Sequence, residues 1–195
     1  MSGTHTDATI SRRVRRLETL LEERGIVVGA ALDEMLDAFL SGATPLNGAR
    51  VVARAWTDPA YKERLLADGT AAVTELGYSA GGVQPQRLRV VENTEGAHNV
   101  VVCTLCSCYP VRLLGPSPSW YKSEAYRSRV VREPRSVLAE FGLRLPESTD
   151  VTVWDSSAET RYLVLPRRPA GTDGLTEDEL ASRVTRNGLI GTAAL

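Results

Sequence analysis

Three cysteines fall within six residues, in the run Cys103-Thr104-Leu105-Cys106-Ser107-Cys108, and the chain has no others. Cys103 and Cys106 have the C-x-x-C spacing that lets two thiolates share one ion. Cys108 lies two residues on, so a third thiolate can close on the same ion. With three thiolates converging, the backbone between them is pressed against the metal, and the peptide nitrogens of Ser107 and Cys108 come into reach. A sufficiently acidic trivalent metal can displace their protons and bind them as anions. The hexapeptide then offers five ligands and leaves a sixth position open. Soft thiolates and strong-field nitrogens suit a transition metal rather than magnesium or calcium. An open position on a Lewis acid is what substrate activation requires.

Other chemistries fit less well. A structural zinc site wants four ligands, typically as two separated pairs; no second pair exists, because His5 sits near the N-terminus and His98 is alone. A redox C-x-x-C pair, which lowers a thiol's pKa, leaves Cys108 as an extra thiol. A disulfide framework spreads an even number of cysteines along the chain. G-x-S-x-G, the P-loop and G-x-G-x-x-G are all absent. A Ser–His–Asp triad would have to use His98 or His5, and His98 reads as a hydrogen-bonded structural histidine on a turn. Trp56, Trp120 and Trp154 read as core or interface residues. The run Arg127, Arg129, Arg132, Arg135 reads as a salt-bridged face or a subunit interface.

The elements that must position the cysteines follow from periodicity. Residues 1–10 read as disordered. Val14, Leu17, Leu20 and Leu21 predict a helix over 11–24 with a basic outer face, and Leu32, Met35, Leu36, Phe39 and Leu40 predict a second. The run Thr44-Pro45-Leu46-Asn47-Gly48 reads as a break. Asp58-Pro59 is an N-cap followed by proline at the first helical position, and a short helix over 71–76 stops at Gly77. Two short β-branched runs, 88–91 and 99–102, predict strands, the second leading straight into Cys103. Residues 110–118 read as a loop, Pro134 opens a helix closed by Gly142, and runs 151–154 and 161–165 predict a strand pair. Thr176-Glu177-Asp178-Glu179 predicts a capping box before a final helix. The organisation is α+β, with a helical N-terminal arm over residues 1–82 and a mixed metal-binding catalytic domain over 83–195.

Composition bounds the partners. The 195 residues are 43% hydrophobic, enough for a core, and 23 Lys+Arg against 24 Asp+Glu give a formal net charge of -1. This balance predicts no nucleic-acid partner. No run approaches the ~20 apolar residues that span a bilayer, and the N-terminus lacks the apolar core of a secretory signal. A soluble, cytoplasmic protein with no membrane partner is expected.

Val102-Cys103-Thr104-Leu105-Cys106-Ser107-Cys108 resembles the metal-binding motif of nitrile hydratase alpha subunits. The resemblance extends to Val91-Glu92-Asn93-Thr94, to His98-Asn99-Val100-Val101-Val102, to Trp120-Tyr121-Lys122-Ser123, to Tyr126 through Arg135, and upstream to Asn47-Gly48-Ala49-Arg50 with Ala55-Trp56. It covers roughly residues 45–165. It implies a helical arm plus a four-layered α-β-β-α domain. It implies one cobalt (Co3+) per alpha subunit, since Thr104 stands where iron enzymes carry Ser. Cys103, Cys106 and Cys108 supply thiolates, and the amides of Ser107 and Cys108 complete the claw. In the mature enzyme the residue matching Cys106 is a sulfinate and the one matching Cys108 a sulfenate, so Cys106 and Cys108 are the expected catalytic residues. A beta subunit, whose arginines hold the oxidised sulfurs, and a cobalt-loading activator protein are the expected partners, with a small-molecule nitrile as substrate. Tyr109 is expected to line the pocket, and Gln84 matches the glutamine that stands behind the metal.

The chain departs from the family in one informative place. Most members follow the motif with Tyr-Pro-Trp-Pro, whereas this one reads Tyr109-Pro110-Val111-Arg112. Loss of the tryptophan removes a wall of the expected pocket, which predicts a bulky, heteroaromatic nitrile such as a nucleoside nitrile of the toyocamycin kind. Two alternatives stand. One is thiocyanate hydrolase, whose gamma subunit shares the claw and whose small anionic substrate suits Arg112 better than Val111. The other is a non-catalytic metal-binding or redox protein using the thiols alone.

Overall fold

The computed structural model describes residues 7–26, 29–79, 86–106 and 108–195, so His5, Gln84 and Ser107 lie outside the described residues. The chain divides into two compact units, Met1–Ser41 and Gly42–Leu195. The first holds α1 (Asp7–Glu23) and α2 (Gly29–Ser41), so residues 7–10, expected to be disordered, are helical. Ile10, Val14 and Leu17 recur at helical spacing on α1 and Leu32, Met35 and Leu36 on α2, and all six are exposed.

The second unit holds the core. Helices α3 (Pro45–Thr57), α4 (Pro59–Ala67) and α5 (Gly69–Glu75), grouped with the arm by sequence, bury Val51, Val52, Tyr61, Leu65 and Val73 in the same cluster as the strands. The division therefore falls near residue 42 and not at residue 82. Periodicity identifies these segments as helices but does not say what their apolar faces pack against. The break expected at Thr44–Gly48 is instead the start of α3: the Thr44 side chain accepts from Leu46 N, and Pro45 occupies the first turn. The caps at Asp58 and Thr176 form as predicted, the latter as a full capping box.

Four strands follow: β1 (Arg87–Glu92), β2 (Ala97–Val102), β3 (Asp150–Asp155) and β4 (Thr160–Leu165). β3 and β4 do not pair with each other as their closeness in sequence suggests. β2 pairs β3 and β1 pairs β4, both in parallel, with Val102 opposite Asp155 and Glu92 opposite Leu165. Parallel pairs need long crossovers, and the one from β2 to β3 carries the cysteines. Helices fill it: α6 (Val111–Leu114), α7 (Ser119–Lys122), α8 (Glu124–Val130) and α9 (Pro134–Glu140); α10 (Glu177–Ala181) and α11 (Arg186–Ile190) end the chain. The stretch expected as loop over 110–118 therefore contains α6. α4 and α5 lie on β1, β2 meets β4 between the sheets, and α9 lies on β3, giving helix, sheet, sheet and helix layers. The fold is α+β. Residues 98–102 of β2 are all buried, as a strand covered on both faces requires. No helix among the described residues is long and apolar enough to cross a membrane.

His98 sits on β2 rather than on a turn, but both its ring nitrogens are bonded, as expected of a structural histidine. Nδ1 lies 3.2 Å from Asn93 Nδ2 and Nε2 2.7 Å from the Gly191 carbonyl. Since a carbonyl accepts only, Nε2 carries the proton and Nδ1 accepts from Asn93. Gly191 has φ +90, and a Cβ there would collide with the Asn99 carbonyl, so glycine is required where the C-terminal segment crosses β2. Burial lowers the His98 pKa from the ordinary 6.5, with the Gly191 hydrogen bond opposing. The folded chain thus binds fewer protons at this site than the unfolded chain. The stabilisation is complete above pH 6.5 and is lost as pH falls from there through the folded-state value, by at most about 1.4 kcal/mol per pH unit. Urea midpoints between pH 7.5 and 5.5 should fall in the parent and fall less in His98→Gln. Identical slopes would assign the loss to other groups. The lowered carboxyls of Asp58, Glu75, Glu140, Glu159 and Glu179 act below this window.

Candidate metal centre

The cysteines stand where β2 ends. The strand's buried run delivers Cys103, 1% exposed, to the edge of the core, and the chain then turns outward through Thr104, Leu105 and an exposed Cys106 before Cys108 returns half-buried. The Sγ atoms of Cys103 and Cys106 are 3.4 Å apart and those of Cys106 and Cys108 3.2 Å. All three sulfurs lie within 4.8 Å of one another. Sulfurs about 2.3 Å from one ion would be separated by about 3.3 Å at right angles and about 3.8 Å at tetrahedral angles. The Cys103–Cys106 and Cys106–Cys108 pairs are both closer to the right-angle spacing than to the tetrahedral one.

The turn is held from several sides. Because Val102 pairs with Asp155, the Asp155 carboxylate arrives beside the claw, accepting from Thr104 N at 2.9 Å and Thr104 Oγ1 at 2.5 Å. The Arg127 side chain donates to the Thr104 carbonyl at 3.1 Å. Tyr121 donates to the Cys108 carbonyl at 3.0 Å, and Tyr126, on α8, to the Val101 carbonyl at 2.7 Å. Trp120 stacks edge-on against Tyr126 and Phe141, which fixes α7 and α8 beneath the turn. Without a metal, burial and the neighbouring Cys106 sulfur push the Cys108 thiol up to about 12, while the Arg161 charge opposes them. Thiolate ligation therefore releases protons.

Asp155→Ala should loosen the turn without touching a sulfur. Supports of this kind are typically worth 10–100-fold in metal affinity, so the variant should lose its metal to a chelator at least about tenfold faster. Parent-like retention would mean that the helices alone fix the turn.

The expected site residues divide. Cys103, Cys106, Cys108 and Thr104 converge. Val111 and Arg112, both half-buried, open α6 just beyond Cys108. Tyr109 turns inward: its ring is 5% exposed and packs edge-on against Tyr121 at 5.1 Å. It packs behind the claw on the core side. Asp155, Tyr121, Tyr126 and Arg161 were not singled out by sequence. The arginine run splits: Arg129 pairs with Glu133 and Glu140, Arg135 binds the carbonyls of Pro146, Glu147 and Thr149, and Arg127 serves the claw.

The family model described as "Nitrile hydratase, alpha chain" matches residues 8–193. The alpha subunit of the cobalt-containing nitrile hydratase of Pseudonocardia thermophila is 54% identical over 183 residues, covering 93% of this chain and 89% of that protein. The gamma subunit of thiocyanate hydrolase from Thiobacillus thioparus is 51% identical over 158 residues, covering 76% of this chain and 65% of that one. Among solved structures, a double mutant of the Fe-type nitrile hydratase from Comamonas testosteroni Ni1 matches with a TM-score of 0.90 and 45% identity, covering 97% of this chain and 91% of that chain. Together with the three converging sulfurs and the α-β-β-α layering, these matches place the chain in the nitrile hydratase alpha-chain family.

Proposed function

We propose that this chain is the metal-holding alpha subunit of a nitrile hydratase, a hydro-lyase that converts a nitrile to its amide in partnership with a beta subunit. The observation that carries the reading is the convergence of three sulfurs within 4.8 Å of one another at the end of β2. Cys103, Cys106 and Cys108 would hold one cobalt through their thiolates, together with the backbone nitrogens of Ser107 and Cys108. Thr104 and the similarity to cobalt-containing relatives favour cobalt over iron. Bound there as Co3+, the metal would supply an open Lewis-acid position that makes the nitrile carbon electrophilic.

The remaining work falls to the chain. Cys106 is exposed and Cys108 half-buried, so an external oxidant such as peroxide can reach both, two equivalents taking Cys106 to the sulfinate and one taking Cys108 to the sulfenate, with one water released per equivalent. Cys103, buried, stays a thiolate. The Cys108 oxygen then either adds to the nitrile carbon, with a water attacking sulfur to restore it as the amide leaves, or takes the proton from the water that adds and passes it to the nitrile nitrogen. Asp155 and Arg127 hold Thr104, and Tyr121 holds the Cys108 carbonyl, so the oxygen keeps one position through turnover. Gln84 is assigned to support the metal from behind. Val111 in place of the family's tryptophan leaves room for a bulky, heteroaromatic, nucleoside-like nitrile. Loading is assigned to a small activator protein, and the working enzyme to the cytoplasm.

The test is elemental analysis and intact mass of the chain co-expressed with its beta subunit and activator in cobalt medium. One cobalt per chain, two added oxygens on Cys106 and one on Cys108, and amide formed from an aromatic nitrile are expected. Zinc, or three unmodified thiols after loading, would overturn the reading and favour the non-catalytic one.

Thiocyanate hydrolysis is the second reading, favoured by the Thiobacillus relative and by Arg112, a cation in the first turn of α6, four residues after Cys108. A small anion needs a tight basic pocket, which Val111 does not supply. Turnover of thiocyanate against an aromatic nitrile separates the two.

A further inference from the structure

Among the described residues, the buried side-chain atoms without a hydrogen-bond partner are the hydroxyls of Tyr109 and Ser156 and the Nε groups of Arg127, Arg161 and Arg186. They are not scattered. Tyr109 follows Cys108 directly. Ser156 N donates to the Val102 carbonyl, one residue before Cys103. Arg127 donates to the Thr104 carbonyl. Arg161 Nη1 donates to the carbonyl of Ser157, the residue after Ser156. Four of the five orphaned buried polar atoms thus stand around the end of β2, and two of them belong to guanidinium groups.

Arg161 is the extreme case. It is 8% exposed, on β4, and its Nη1 reaches only the Ser157 carbonyl. Neither Arg127 nor Arg161 has a carboxylate within ion-pair distance among the described residues, and the one carboxylate that feels the Arg161 charge, Glu159, is exposed. A buried, unpaired charge is costly and persists where something compensates it. On the reading proposed above, the claw itself is the compensating group. Three anionic sulfurs and two deprotonated amides around a trivalent ion leave a net charge of about −2.

We propose that Arg127 and Arg161 form a cationic backing for the claw within this subunit, in which Arg161 positions the oxidised Cys108 from the core side. The chain thereby supplies its own counter-charge, distinct from the arginines that the beta subunit is expected to bring to the oxidised sulfurs. The partner-facing arginines would close over the site, whereas these hold it from below. Arg161 is a positioning residue: it acts on the ligand, not on the nitrile.

The experiment uses the cobalt-loaded complex with the beta subunit. Arg161→Gln, Arg161→Lys and the surface control Arg129→Gln are compared for cobalt content, added oxygens and the sulfur-to-metal absorption band during an EDTA challenge. Arg161→Gln should lose cobalt about 10–100-fold faster than the parent, the range typical for groups that orient metal ligands, with a shifted band and less oxygen on Cys108. Arg161→Lys, which keeps the charge, should recover most of the retention, and Arg129→Gln should match the parent. Parent-like half-life, band and oxygen content in Arg161→Gln would overturn the proposal. Should that variant fail to fold by circular dichroism, Arg127→Gln carries the test: it should lose cobalt several-fold faster, and parent-like retention would overturn the proposal. A parent that takes up no cobalt would instead defeat the nitrile hydratase reading.

Discussion

Cys103→Ser, loaded in cobalt medium with its partner, is expected to fold, to carry little cobalt and to retain below about 1% of parent nitrile hydration. Changes behind a metal ligand already cost about 10–100-fold, and this one removes a ligand. Cys103 is also the hub of the turn. Its sulfur accepts from Cys106 N at 3.4 Å and lies 3.4 Å from Cys106 Sγ. A hydroxyl is harder, less readily deprotonated and on a shorter bond, so it neither suits the same metal nor reaches the same point. The fold should survive. Cys103 is 1% exposed, and a buried hydroxyl in place of the thiol costs roughly 1–3 kcal/mol, which the Val100–Val102 core around it can absorb. Far-ultraviolet circular dichroism and a melting curve establish the folded state, and elemental analysis reads the metal. Full cobalt in Cys103→Ser would mean that Cys106, Cys108 and the amides suffice, and the five-ligand claw would be wrong.

The claw was legible because six adjacent residues carry it, and local spacing alone fixes which sulfurs can meet. Its supports were not, because they arrive through parallel pairing. Asp155 is far from Thr104 in sequence and reaches it only because Val102 lies opposite Asp155. Two short strands separated by a few residues, as β3 and β4 are, read as a hairpin. Here Ser157 bonds within the turn and β4 passes to the other sheet, which also brings Arg161 to the Ser157 carbonyl near the end of β2. A polar pair following an apolar strand, Asp155-Ser156, was the available signal: in parallel sheets the carboxyl ends of strands are where ligands gather. Tyr109, expected from the resemblance beside the substrate, has its ring in the core against Tyr121, a contact that no local pattern announces. The boundary misplaced at residue 82 has the same root, since the apolar faces of α3–α5 are visible in sequence and their packing partners are not.

Val111→Trp is expected to discriminate by substrate size. Val111 opens α6 and is half-buried, while the next two positions after Arg112, Leu113 and Leu114, are buried and anchor the helix. With Tyr109 also filling the inward side, bulk added at 111 has room only on the open side, beside Cys108. An aromatic nitrile such as 3-cyanopyridine should then lose about 10–100-fold in kcat/KM, the scale on which hydrophobic pockets discriminate. Acetonitrile should stay within about threefold, because a small substrate does not use the space removed. The loss should fall mainly on large substrates whatever the chemistry of attack, since the change leaves every sulfur and every support of the turn in place. Equal loss on both nitriles would mean that tryptophan disturbs the claw rather than the pocket, and would remove the basis for a bulky substrate. Thiocyanate serves as the third probe. If the parent turned it over faster than either nitrile, Arg112 and not Val111 would be the residue that defines this pocket.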